Sequence, residues 1–245
     1  MPKIETIILR CIDPAAQQKF YVDILGMTAF DDGSVGYDGP NAHLKFIKSE
    51  KPYVGSPQDL YWKIAIALPN IELACKQLRA KGVDIGAPMQ FQDIGYLAHF
   101  TDPEGFTIEL IEHAFEGQRT EKVIDTKRLG GGAHLNLLTL RTDNIHSSKM
   151  ACEDMGMTPL AIQRVQTDRF LLYFYAFTDD VPPAVDLTAM ENRPWLYQRP
   201  YTVLEIQEYL NPKTIFSPDV EQAGYGGMVV SGLHDADEDQ IIVAI

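Results

Sequence analysis

The apolar and polar positions divide the chain into short strands separated by two amphipathic helices in its first half. Trp62-Lys63-Ile64-Ala65-Ile66-Ala67-Leu68 is an apolar run of strand length, and Asn70 after it is placed to cap a helix. Ile71, Ala74, Cys75 and Leu78 then recur at helical spacing until Gly82 stops the run. Upstream, Asp13 and Pro14 open a helix that turns Phe20, Tyr21, Ile24 and Leu25 inward and ends at Gly26. Further strands are predicted at about 83–90, 94–101 and 105–112. Asp102-Pro103-Glu104-Gly105 joins the last two with the residue choice of a type I turn.

The pattern repeats. Leu9-Arg10-Cys11-Ile12-Asp13, a helical run and Leu25-Gly26-Met27 return as Leu140-Arg141-Thr142-Asp143, a helical run and Met155-Gly156-Met157. Such an offset is that of a domain rather than of a solenoid repeat. Residues 1–115 read as two βαβββ units, and about 134–208 as a third opened by a cap at Asp143. A fourth begins with the strand Gly226–Ser231, but Leu233–Gln240 is too short and acidic for a helix, and a last strand covers Ile241–Ile245. The polar segment 116–132, ending in Gly130-Gly131-Gly132, is the expected linker between domains 1–115 and 133–245. The expected fold class is α+β, two tandem domains of βαβββ units. The open side of residues 134–208 should pack against the first domain or a second subunit, since an uncovered sheet edge is a liability.

Composition narrows the function. Against 21 Lys and Arg stand 34 Asp and Glu, a net charge of −13, which excludes a nucleic-acid binder relying on a cationic face. The apolar runs are far shorter than the roughly 20 residues of a membrane span. Met1-Pro2-Lys3-Ile4-Glu5 lacks the features of a signal peptide, so a cytoplasmic protein is expected. Cys11, Cys75 and Cys152 lie far apart and read as buried inert thiols. Asp235, Asp237 and Asp239 alternate as at the start of a calcium loop, but the Gly and closing Glu are missing, which leaves a solvated acidic turn. The loop Phe177–Pro200, with Trp195 and Tyr197, either covers a cavity or packs as an ordinary excursion.

Three stretches carry a family resemblance: Leu9-Arg10 through Leu25-Gly26-Met27, Ile66-Ala67-Leu68-Pro69-Asn70 through Gly82-Val83, and Asp102-Pro103-Glu104-Gly105 through Glu109-Leu110. With them the chain resembles the vicinal oxygen chelate superfamily of glyoxalase I, bleomycin-resistance proteins and extradiol dioxygenases. Arg169–Phe177 and Tyr201–Gln207 make the second domain similar to the first half of glyoxalase I. The resemblance implies paired units curled into a cup around one divalent metal, each unit giving one ligand from its first strand and one from its last.

Those ligand positions fall on Thr6 and Lys45, on Lys63 and Glu109, on Asn136 or Leu137 together with Glu205, and on Gly227. His43, two residues before Lys45, would serve if the register shifted, and His134 shares a strand face with Asn136. Only Glu109 and Glu205 match fully, so binding of a divalent metal, zinc or nickel, is expected to be weak or absent, with His134 the residue that could complete a site. Glu109 is expected to pair with Lys63 or Lys45 in a metal-free cup. Glu205 is either a ligand or an inward carboxylate paired with Arg141 or Arg199. Arg141 matches an arginine that holds the glutathione carboxylate in glyoxalase I, and Arg10 occupies the same place in the first unit; both are substrate-binding or framework.

Two functions remain open. One is a lyase of the glyoxalase I type acting on a glutathione adduct, with Glu205 or Glu109 as the base. The other is a metal-free cup that sequesters a small aromatic or amphipathic molecule, as bleomycin-resistance proteins do. The partner is a small-molecule substrate in either case, with a homodimer as a further expectation.

Overall fold

A computed structural model of the chain describes residues 1–120, 124–165, 170–211, 214–217, 219–233 and 240–242. The first unit comprises β1 (Lys3–Cys11), α1 (Pro14–Asp23), β2 (Thr28–Ala29), β3 (Ser34–Gly36) and β4 (His43–Lys48). The second comprises β5 (Tyr61–Leu68), α2 (Ile71–Ala80), β6 (Met89–Phe91), β7 (Gly95–Thr101) and β8 (Thr107–Glu112). The third has β9 (His134–Thr142), α3 (Ile145–Asp154), β10 (Thr158–Val165), β11 (Phe170–Ala176), the short α4 (Asn192–Tyr197) and β12 (Val203–Tyr209). Two strands, β13 (Gly224–Ser231) and β14 (Gln240–Ile242), follow. The fold class is the expected α+β. No helix among the described residues is long and apolar enough to cross a membrane.

The caps explain where the helices start. Asp13 accepts from Ala16 N and Asn70 from Leu73 N, as their positions ahead of apolar repeats require. The third helix differs: Asn144, not Asp143, accepts from Ser147 N. Residues 83–88 form no strand, and only Met89–Phe91 pair with β7. The acidic stretch with Asp235, Asp237 and Asp239, Arg169, and residues 243–245 of the expected last strand lie outside the described residues. Cys11, Cys75 and Cys152 are buried and unpaired, and burial pushes the Cys11 thiol up to about 12.

The sheets run across the segment 116–132. One has the order β14-β13-β1-β4-β3-β2, and the other β10-β11-β12-β9-β5-β8-β7-β6. The first unit therefore pairs with the last two strands through β1 and β13, and the second unit with the third through β5 and β9, both antiparallel. The open side of residues 134–208 thus meets β5.

Period-two alternation divides β5 between two faces. Ile64, Ile66 and Leu68 enter the larger core shared with the helices and the other sheet, while Lys63, Ala65 and Ala67 face the opposite way. In β9 the register shifts at Asn136: Ala65 pairs with Leu137 and Ile66 with Leu135. The extra residue is a β-bulge. The choice between Asn136 and Leu137 falls to Leu137, because the cap at Asn144 stands as far from Asp13 as Leu140-Arg141 stands from Leu9-Arg10.

A buried carboxylate ties the two halves of the first 115 residues. Asp102 in the β7–β8 turn accepts from Gln17 Nε2 at 2.7 Å and Tyr21 Oη at 3.0 Å, both on α1, and from the Glu104 and Phe106 amides at 3.0 Å. The Gly105 amide donates to Asp102 O at 3.0 Å, closing the turn, and Gly105 takes φ +92°, which glycine adopts at little cost. Burial raises the Asp102 carboxyl from 3.8 to about 6 against the pull of these donors. The folded chain then holds this proton more tightly than the unfolded one, so the carboxyl's contribution to stability is full below about pH 4 and is lost as the pH rises through 6. Asp102→Asn cannot ionise. Urea denaturation near pH 4 and near pH 7 should show the variant gaining about 2–3 kcal/mol relative to the parent over that interval. A parallel pH dependence of the two proteins would show that Asp102 is not the group responsible.

Candidate functional site

The eight-stranded sheet curls until its edge strands β6 and β10 both line one cavity of about 550 Å³. Phe91, Ile94, Leu97, Ile111, Leu172 and Phe174 are among its apolar walls. A cavity of this size with mostly apolar lining and few polar groups is the usual form of a small-molecule site.

The loop 177–200 closes the gap between the two edges. Tyr197 on α4 lines the cavity, donates to Ile94 O at 3.0 Å and receives a bond from Gln163 Nε2 on β10 at 3.2 Å. Arg193 pairs with Asp93 Oδ2 at 2.7 Å, fixing the same loop to the β6–β7 turn. Asn136, displaced by its bulge, reaches the loop by donating to Leu196 O and Arg199 O at 3.3 and 3.2 Å. Through Tyr197 the loop forms part of the cavity wall.

At the floor sits a charge cluster. The Lys63 ammonium donates to Glu109 Oε1, Glu205 Oε2 and Thr139 Oγ1, each at 3.0 Å, which uses all three of its protons. Thr139 Oγ1 donates in turn to Glu205 Oε2 at 2.9 Å. The side chains of Lys63, Glu109 and Glu205 are only 6%, 6% and 3% exposed. Burial works against the ammonium, but the charges of Glu109 and Glu205 outweigh it and hold the lysine protonated.

The two carboxylates are not equivalent. Burial raises both, yet Lys63 and the His99 imidazole hold Glu109 below the usual carboxylate range. Glu205 has no imidazole beside it and feels the Glu109 charge, so burial wins and its carboxyl is raised. His99 Nε2 lies 2.9 Å from Glu109 Oε2, and its side chain, 39% exposed, is stacked on Trp62 with ring centroids 5.8 Å apart. The Arg141 guanidinium covers Trp62 at 5.1 Å. Nothing in the local sequence marked His99, Trp62 or Thr139. The approach of His99 to Glu109 becomes visible only once β7 and β8 are put in register.

The candidate residues from the sequence distribute as follows. Glu109, Glu205 and Arg141 line one cavity. Glu109 pairs with Lys63, and Glu205 with Lys63 rather than with Arg141 or Arg199. Arg141 donates to Gln207 Oε1 at 2.9 Å and to the carbonyls of Ser56, Asp59 and Tyr61, while Arg199 pairs with Asp180 at 3.2 Å. Arg10 is in the other sheet and donates to the carbonyls of Gln222 and Asp219. His134 pairs with Ala67 at the far end of β9, beside the His113 ring, away from the cavity lining; burial lowers it to about 4. His43, in the other sheet, stacks on Phe30.

Pairing fixes which positions correspond between the two units of the cup. Lys63 pairs with Thr139 and Ala65 with Leu137, while Glu109 sits beside Ala65 and Glu205 beside Thr139. A two-fold relation thus exchanges Glu109 with Glu205 and Lys63 with Leu137. The four inward positions hold two carboxylates, an ammonium and an isobutyl group. That donor set does not fit a divalent cation, because the ammonium occupies the space between the carboxylates and Leu137 offers no ligand. Among the described residues no three His, Cys, Asp or Glu side chains are grouped to hold a metal.

A sequence model of the Glyoxalase/Bleomycin resistance protein/Dioxygenase superfamily matches residues 3–110. Over 212 residues the chain is 22% identical to lactoylglutathione lyase of Schizosaccharomyces pombe, an overlap covering 74% of this chain and 68% of that protein. The crystal structure of glyoxalase I from Zea mays superimposes with a TM-score of 0.65 at 16% identity, covering 94% of this chain and 74% of the maize chain. Identity at that level speaks for the fold. Residues 3–110 belong to the glyoxalase/bleomycin resistance/dioxygenase superfamily, and the chain as a whole has its fold.

Proposed function

We propose that this chain is a small-molecule-binding member of the superfamily whose cup works without a divalent metal. The observation that carries the reading is the cavity itself: apolar walls converging on a floor whose two carboxylates are already bridged by Lys63. An amphipathic ligand with a flat apolar body would fill the space between Phe91, Leu172 and Phe174. Its polar end would meet His99, Gln163 and Gln207, and the Glu205 Oε1 atom that Lys63 and Thr139 leave free. Arg141 is committed to Gln207 and to backbone carbonyls, so it shapes the wall more than it recruits an anion.

A second reading is supported by one feature. Glu205 has a raised carboxyl and an oxygen facing the cavity, as a group exchanging protons with a bound substrate requires. Under that reading the chain is a lyase related to lactoylglutathione lyase.

Two measurements separate these readings. Titration with 8-anilinonaphthalene-1-sulfonate, followed by its fluorescence and by quenching of Trp62, should saturate at one dye per native chain. Phe91→Asp and Phe170→Asp, at half-buried wall positions, should weaken it by about tenfold or more. Dye binding that ignores both substitutions would remove the cavity from the account. Separately, turnover of the hemithioacetal of methylglyoxal and glutathione should be weak or absent, and added zinc or nickel should not raise it. Robust turnover lost in Glu205→Gln would establish the lyase instead.

A further inference from the structure

We infer that Lys63 is a built-in cation that keeps divalent metals out of the cup, and that the two carboxylates it bridges form a latent metal site which opens when the ammonium is removed. The inference rests on the geometry of the floor and not on the identity of the ligand.

Two bonds of 3.0 Å from one nitrogen place Glu109 Oε1 and Glu205 Oε2 within about 6 Å of each other, on either side of the ammonium. Both side chains are almost wholly buried, so the pair of like charges must be neutralised on the spot, by the lysine, by protons or by another cation. The lysine supplies one positive charge between them from within the chain. Its three protons are spent on Glu109, Glu205 and Thr139, so an incoming ion would have to displace a covalently tethered charge. Without the ammonium the same carboxylate oxygens would face each other across a gap, with the His99 imidazole already in contact with Glu109. Oxygen donors plus an imidazole suit zinc, cobalt or nickel. Metal–oxygen bonds of roughly 2.0–2.2 Å need each carboxylate to move inward by about 1 Å.

The test uses cobalt(II), whose visible absorption reports protein ligands. Wild type, Lys63→Ala and Lys63→His would be titrated with cobalt(II) and their metal content measured after gel filtration. Wild type should show no saturable binding at this site, and both variants should take up one ion per chain with new visible absorption and quenching of Trp62. Adding Glu109→Gln or Glu205→Gln to either variant should weaken binding by about tenfold or more, and His99→Gln should weaken it in Lys63→Ala. Should Lys63→Ala not fold alone, thermal melts of both variants with and without cobalt(II) decide the matter, since a latent site predicts stabilisation by the ion. Wild type binding one ion that is lost in Glu205→Gln would overturn the inference, because the lysine would not then exclude metal. So would folded variants, or variants melted with cobalt(II), that show no response to the ion, because the carboxylates would then be neutralised by protons. Either result leaves the dye-binding cavity standing.

Discussion

A single ammonium holds the cup together. Lys63 comes from β5, Glu109 from β8, Glu205 from β12 and Thr139 from β9, so one nitrogen joins four strands and both units of the eight-stranded sheet. Burying three charges is costly, and the cost is offset only when every partner is in place. Register follows from this. Slipping β5 against β9 by one residue would send Lys63 into the apolar core and bring Ile64 into the cup, leaving Glu109 and Glu205 to repel each other undamped. The cluster is better understood as a device for specifying alignment than as a source of net stability.

The same cluster sets the electrical character of the cavity. Glu109 is clamped between an ammonium and an imidazole and stays ionised, while Glu205 has one cation and an anionic neighbour. Of the two carboxylates, Glu205 is therefore the more readily protonated. The floor presents two carboxylates bridged by one ammonium, and one half-exposed imidazole held in orientation by a carboxylate. The apolar area lies in the walls, where Ile111 and Leu137 stand beside the charged residues on the same strand faces.

Much of this was legible in the sequence, and the failures have physical causes. The repeat and the caps at Asp13 and Asn70 follow from periodicities that act within one element, whereas Glu109 and Glu205 stand out through the resemblance of their strands to the family's. Of the two lysines open as partners of Glu109, Lys63 and Lys45, it is Lys63, from the same unit, that pairs. The Glu205 partner was not legible, because it comes from a different unit and depends on which strand edges meet, a choice that a repeat pattern does not encode. Asn144 displaced Asp143 as a cap because adjacent residues of equal capping chemistry differ only in backbone direction. The β9 register was ambiguous for the same reason: counting from Asp143 instead of Asn144 shifts the strand by one residue and puts Asn136 where Leu137 belongs. The bulge at Asn136, whose side chain bonds the loop carbonyls of Leu196 and Arg199 some 60 residues away, has no local signal.

The other sheet shows what the cluster requires. It repeats the antiparallel joint through β1 and β13, and the inward positions there are Thr6, Lys45 and Gly227. Lys45 again supplies an ammonium, but its surroundings differ: it pairs with Ser34, beside Asp32 in a solvated turn, and no buried carboxylate opposes it on β1 or β13. Glycine at 227 contributes no side chain, and adding one at the adjacent Gly226 would bring a Cβ within 2.8 Å of Ile8. A lysine left partly exposed retains its hydration and needs no rigid partners, whereas a lysine sealed into a cup must be met by carboxylates from both units. One chain thus contains the same strand joint twice. It becomes a charged cavity only where two glutamates, one from each unit, converge on a lysine.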